Sequence, residues 1–476
     1  MGTILIDGGT VVTQNHEREI IDDGAVLVEN NRIAAVGSSE QLTGEHAPDR
    51  VIDATDHAII PGLINPHTHI SDILLRGRIG SDRDLYDWLF NVKQPGMAVM
   101  STTDHELAAA TYSEEALSAG VTTVVENDAE VPYGALDAMQ SKFEVYDTVG
   151  IRNIYARGIR NRPAGPEFQS LIDRITAKEP TVNHPDQSRY VEELDRWFDE
   201  LDSLYDEYHG SADGRQEIWI APVIIEGMTD EGLERAYQFA EERNIMTTIH
   251  TAEAPEQASG SLSPIEHLQN VNSLGEHALL GHCVHIDEAD IRTLARTDTR
   301  VAHNIGSNLA LGNGFAPVPS MRSHGVSVGL GTDNSILSDT VNPLSDLRLV
   351  TMAHQGNHRD PGVLMAQEAF DMVTIEAART IRKEDELGSI EAGKLADIAL
   401  VDLDQPQFTP MPNVISGLVY QSLGTEIDTV VCNGEIVVED GTVTGIDTAF
   451  PELRERASAA ATRLRDDSGL ADSQTI

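Results

Sequence analysis

Residues 58–69 read AIIPGLINPHTH, an apolar run that closes on two histidines spaced i, i+2. Such a run suits a buried strand, and a strand sends residues two apart to the same face. His67 and His69 therefore stand side by side, as a pair that shares a metal ion or as surface or capping imidazoles. Working outward, seven further apolar runs follow, at 121–127, 152–159, 217–224, 245–250, 278–286, 300–305 and 326–333. Helical patterns fill the gaps. Thr103 and Glu106 have capping-box spacing with Gly120 at the stop, and Tyr190, Leu194, Trp197, Phe198, Leu201, Leu204 and Tyr205 share one helical face. Eight strand-helix alternations predict an α/β fold, a (β/α)8 TIM-type barrel whose active site lies where the strands end.

The chain ends read differently. Residues 24–37 place alternating apolar runs around Asn30-Asn31, and residues 429–445 carry Asn433-Gly434 and Asp440-Gly441, which are strong hairpin signals. They predict a small β-sandwich domain assembled from both ends: residues 1–59 and 391–446 around a barrel at 60–390. Residues 447–476 read as a solvent-exposed helix and polar tail.

Composition narrows the function. The 476 residues are 40% hydrophobic with a mean hydropathy of −0.24, which fits neither a disordered nor a membrane protein. No apolar run approaches the roughly 18 residues that span a bilayer, and the first residues lack the pattern of a secretory signal. Two cysteines, Cys283 and Cys432, allow no disulfide framework and no cysteine-rich zinc site. A soluble cytoplasmic protein is expected. Net charge is −45, from 78 acidic against 33 basic residues, and only five of the basic residues are lysines. Such a surface repels phosphate backbones, so no nucleic-acid partner is expected, and it fits adaptation to concentrated salt.

Chemistry gathers at the strand ends. His250 ends the fifth run, His282 lies in the sixth and Asp333 ends the eighth. Histidine and aspartate are costly to bury unless they satisfy one another or a metal. Their convergence reads as a metal site or as a hydrogen-bonded polar plug.

PGLINPHTH, HTAE at 250–253, GHCVH at 281–285, SNLALGNG at 307–314 and GTD at 331–333 resemble the amidohydrolase superfamily, in its branch of aminohydrolases and chlorohydrolases on nitrogen heterocycles. Residues 74–98 with 118–127 look most like s-triazine hydrolases, which are related to methylthioadenosine and adenosylhomocysteine deaminases. The resemblance implies that His67, His69, His250 and Asp333 ligate one divalent metal, usually zinc, with iron or manganese as alternatives. It implies that His282 orients the attacking hydroxide and that Glu253 contacts a ring nitrogen and shuttles protons; beside such a metal, the Asp333 carboxylate can accept the proton of the water. His285 falls outside the match and reads as structural. Two-metal relatives use a carbamylated lysine on the fourth strand, and EIWIAPVI has none, so one metal is expected.

Substrate contacts are less determined. Trp88 matches an aromatic lid position and either stacks on a heterocycle or packs as core; Arg157 either contacts substrate or pairs with an acid. His303 reads as a satisfied strand histidine. The nucleoside deaminases hold ribose with a glutamate about thirty residues after the histidine pair, where this chain reads VKQPGMAV without an acid. The expected function is hydrolytic removal of an amino group or chloride from a heterocyclic small molecule. The alternatives are a nucleoside deaminase and a catalytically silent barrel used for assembly. A homo-oligomer is expected from the resemblance.

Overall fold

A computed structural model of the chain describes residues 2–77, 83–129 and 131–470. Its centre is a parallel barrel of β1 (Leu63–His69), β2 (Val121–Asp128), β3 (Arg152–Ile159), β4 (Gln216–Pro222), β5 (Thr247–Thr251), β6 (Ala278–His282), β7 (Arg300–His303), β8 (Val328–Leu330) and β9 (Asp333–Asn334). Each strand from β1 to β8 pairs with the next except that β8 and β9 are two pieces of one broken strand: Leu330 pairs with His303 of β7, and Asp333 pairs with Thr68 of β1. Residues 328–334 thereby close the ring. Asn65 pins this seam, donating to Thr332 Oγ1 at 2.7 Å and accepting from the Thr332 backbone at 3.1 Å.

The run at 58–69 is two strands, not one. His57–Pro61 belongs to the sheet built by the chain ends, and the barrel strand begins at Leu63. Gly62 sits between them where a Cβ would meet Thr122 Oγ1 at 2.4 Å, so only glycine lets the backbone pass that close. The two chain ends form a single nine-stranded sheet, in which His57–Pro61 pairs with Thr3–Val12 on one side and with Ile398–Asp402 on the other. Ile6, Val26, Ile59, Ile398 and Val431 pack together on it. Its hairpins turn at Asn30, Asn433 and Asp440, all with positive φ.

Three local expectations shift. The helix α1 (Thr102–Ser118) is capped by Ser101 with Asp104, two residues before the Thr103/Glu106 pair, because Ser101 holds the extended backbone a cap requires. The amphipathic helix α2 runs Leu194–Tyr208, and Tyr190 lies in a separate 3-10 turn. The C-terminal helix α3 (Leu453–Ser468) is not solvent-exposed all round, since Leu453, Ala457, Ala460 and Leu464 are buried. It packs on α1, and residues 471–476 lie outside the described part.

Candidate metal centre and active site

Three strands deliver a tight polar cluster. β1 contributes His67 and His69, β5 His250 and β9 Asp333, and one ligand atom from each lies within 4.8 Å of all the others. His250 Nδ1 donates to the Val223 carbonyl at 2.7 Å, which leaves Nε2 as a bare lone pair 3.1 Å from His69 Nε2. Burial holds His67 below its ordinary pKa despite Asp333, and it holds His69 and His250 well below theirs. Neutral imidazoles are what a metal requires.

Asp333 behaves in the opposite way. Burial pushes its carboxyl up, but the His67 contact and the electrostatic pull of the surrounding imidazoles hold it well below the usual range. Its Oδ1 stands 3.5 Å from His67 Nε2 and 3.4 Å from His69 Nε2. Neither ring nitrogen of His67 nor Asp333 Oδ2 forms a hydrogen bond within the described residues, although all are buried. Buried lone pairs aimed at one point are satisfied by a cation, and three imidazoles with one carboxylate fit a divalent ion with an open position. The chain holds a single-metal site of this kind.

Beside it stand two further groups. His282 ends β6 with a left-handed φ of 69°, and Asp333 has a φ of 56°. Non-glycine residues held there carry backbone strain, which clusters where side chains must be aimed. His282 Nδ1 donates to Asn308 Oδ1 at 2.9 Å, so Nε2 faces Glu253 Oε2 at 3.6 Å and Asp333 Oδ2 at 3.9 Å. Glu253 Oε1 accepts from Asn313 at 3.1 Å, and burial pushes its carboxyl up against the lowering pull of His282.

Above the cluster opens a cavity with His69, His250, His282 and Glu253 in its wall. Trp88, Tyr86, Phe90 and Phe168 give it flat apolar sides, while Lys93, Arg160, Arg162 and Glu226 add charge. Trp88 lines the chamber and is at the same time packed into the hydrophobic core. Arg157 does not line it. Its guanidinium is buried against Glu200 at 2.8 Å, Val131 O at 2.7 Å and Pro132 O at 3.0 Å, over the ring of Trp197 and away from the cavity wall. The ion-pair alternative is the one realised. His303 is buried beside His354, with Nε2 atoms 3.3 Å apart, and His285 is absent from the cavity wall.

A family model described as "Amidohydrolase family" matches residues 58–437. The chain belongs to the amidohydrolase family. Among its relatives, an S-triazine hydrolase of Gordonia rubripertincta is 31% identical over 100% of this chain and 99% of its own length. A 5-methylthioadenosine/S-adenosylhomocysteine deaminase of Symbiobacterium thermophilum is 33% identical over 98% and 99% respectively. Among solved structures, atrazine chlorohydrolase from Arthrobacter aurescens, complexed with zinc, superposes with a TM-score of 0.85 at 27% identity, over 97% of this chain and 99% of that one. This amidohydrolase is a metal-dependent hydrolase of small molecules, and no helix among its described residues is long and apolar enough to cross a membrane.

Some site residues escaped the sequence reading. Asn308 and Asn313 lie in SNLALGNG, a stretch noticed only for its likeness, and both prove to hold catalytic candidates. Lys93 lies in VKQPGMAV, which drew attention for a missing acid, yet it reaches the chamber. Within the stretch 74–98, residues 78–82 fall outside the described residues.

Proposed function

We propose that this amidohydrolase removes an amino group or chloride from a nitrogen heterocycle, with zinc as its metal. The observation that carries the reading is the pairing of Glu253 and His282 beside the four-residue cluster, at the base of a cavity with a flat aromatic wall. His67, His69, His250 and Asp333 would hold a divalent ion, which would supply Lewis acidity and lower the pKa of water to about 7. His282, fixed by Asn308, orients the attacking oxygen. Asp333 accepts its proton. Glu253, kept protonatable by burial, delivers a proton to the ring nitrogen where negative charge develops. An amine leaves with the proton that Asp333 took from the water while the ring nitrogen returns its own to Glu253, whereas chloride needs no proton, so one arrangement serves both leaving groups. Trp88 stacks on the ring.

A nucleoside reading has one observation in its favour. Glu226 is a half-buried carboxyl group on a 3-10 turn, Ile225–Gly227, in the wall of the same cavity. It offers a partner for sugar hydroxyls that VKQPGMAV lacks. The test is ammonia and chloride release by the zinc-loaded protein in molar salt, across adenine nucleosides, guanine, cytosine, ammeline, melamine-type and chlorinated triazine rings. Release from free or triazine-like rings supports the first reading; release confined to nucleosides replaces it; silence with one zinc per chain favours an assembly role. The dispersed acidic surface belongs to a cytoplasm rich in salt. A symmetric homo-oligomer completes the proposal.

A further inference from the structure

Lys93 enters the chamber by an unusual piece of backbone. The helix Leu85–Trp88 passes into a π-helical turn, Leu89–Lys93, before continuing as Gln94–Ala98. A π turn inserts one residue per turn and re-aims the side chains that follow, and such turns gather at functional sites. Lys93 ends this one, is 2% exposed, and shares the cavity wall with His69, His250 and Asn334. An ammonium is costly to bury, so its position needs a purpose.

The hydrogen bonds supply one. Lys93 Nζ donates to Asn334 Oδ1 at 2.6 Å, and Asn334 Nδ2 donates to Asp333 Oδ1 at 2.7 Å. We propose that Lys93 is a positioning residue for Asp333, acting through the Asn334 amide. An amide has two faces, and the wrong one would turn its oxygen toward the Asp333 carboxylate. The ammonium claims that oxygen, so the NH2 group is turned to Asp333 and polarised into a stronger donor. Asp333 needs such a hold, because its backbone is left-handed and its Oδ1 already lies near both His67 and His69. Lys93 thereby sets the rotamer of the one carboxylate in the metal cluster without touching the metal.

This inference rests on Asp333 being a metal ligand and proton acceptor. The experiment is a double-mutant cycle of Lys93→Met, Asn334→Ala and the pair, in the full-length protein. Zinc affinity is read by competition with a chromophoric chelator, and kcat and KM are read separately on a ring the wild type turns over. Outer-shell losses of this kind cost about 10–100-fold in metal affinity or rate. Each single variant is expected to lose that much in zinc affinity and kcat with KM little changed, and the double variant to match Asn334→Ala alone. Multiplying losses would overturn the relay, as would unchanged zinc affinity and kcat. A raised KM with zinc affinity intact would make Lys93 a substrate contact instead. Should the Met variant not fold, Lys93→Leu, which likewise has no donor, carries the same test, with the same non-additivity expected. The zinc arm needs no substrate, so it stands if the heterocycle reading fails; a wild type that binds no zinc would sink both.

Discussion

Glu253→Gln separates proton delivery from metal binding. Glu253 lies outside the four-residue metal cluster, buried, with one oxygen on Asn313 and the other 3.6 Å from His282 Nε2. Glutamine has the same shape, keeps an oxygen for Asn313 and disturbs the packing little, but it has no acidic proton to give. A positioned general acid contributes about 10²–10⁴-fold, or roughly 3–5 kcal/mol of barrier at 1.36 kcal/mol per tenfold. Deamination should fall by that factor, while zinc content and the thermal midpoint stay near wild type. A chloride substrate should lose less at the leaving-group step, since chloride departs unprotonated. The assay is ammonia release beside elemental analysis of the same samples. A rate within threefold of wild type would refute the assigned role, and zinc lost in proportion to activity would make Glu253 a ligand or a structural residue.

Asp333→Ala removes a ligand and the proton acceptor together, so turnover should fall at least about 10⁴-fold, the upper end for one acid-base group; near-wild-type rates in a steady-state assay would overturn it. Asp346 is buried with desolvation as its sole perturbing cause, and its carboxyl is pushed from an ordinary 3.8 up to about 7. Asp346 therefore contributes a loss of stability as pH rises from about 4 through 7, to a ceiling of roughly 4 kcal/mol, and Asp346→Asn removes that contribution. Urea midpoints of the two should coincide at pH 4 and separate in favour of the variant at pH 8; parallel curves would disprove it. With a net charge of −45, self-repulsion should dominate in dilute buffer. Thermal unfolding is expected about 10 °C or more higher in molar potassium chloride than at 0.05 M, and equal midpoints would end the salt-adaptation reading.

The metal cluster was legible in the sequence because its chemistry is written into residue types that a core otherwise rejects. A histidine pair at i, i+2 and a lone aspartate after an apolar run have few bland explanations once they share strand ends. Arg157 was not legible for the complementary reason. Every residue of β3 is buried, so alternation cannot say which side faces the chamber, and an arginine at its end is equally placed for a substrate or for Glu200. The break at Gly62 was hidden because two buried strands in series look like one longer one. Lys93 was hidden because its aim depends on a π turn, and periodicity assumes 3.6 residues per turn throughout. Packing also overrode pattern in the C-terminal helix, whose alanines and two leucines bury a face too narrow to stand out among its charges.

The surface charge and the buried charges do separate work, and that yields one more expectation. At molar salt the screening length is about 3 Å, so the acidic exterior neither steers nor repels a ligand. Lys93 and the Glu253/His282 pair sit in an enclosed wall, where screening is weak, and they act on whatever ring has entered. Salt should therefore act on activity through the folded population alone. Even for a charged ring, kcat/KM per folded molecule should stay flat between 1 and 3 M potassium chloride, within about twofold, while total activity tracks the circular-dichroism signal. Were capture instead steered by surface charge, the logarithm of kcat/KM would change continuously with ionic strength after folding was complete. A charged substrate that showed that slope would place a charged recognition surface outside the cavity.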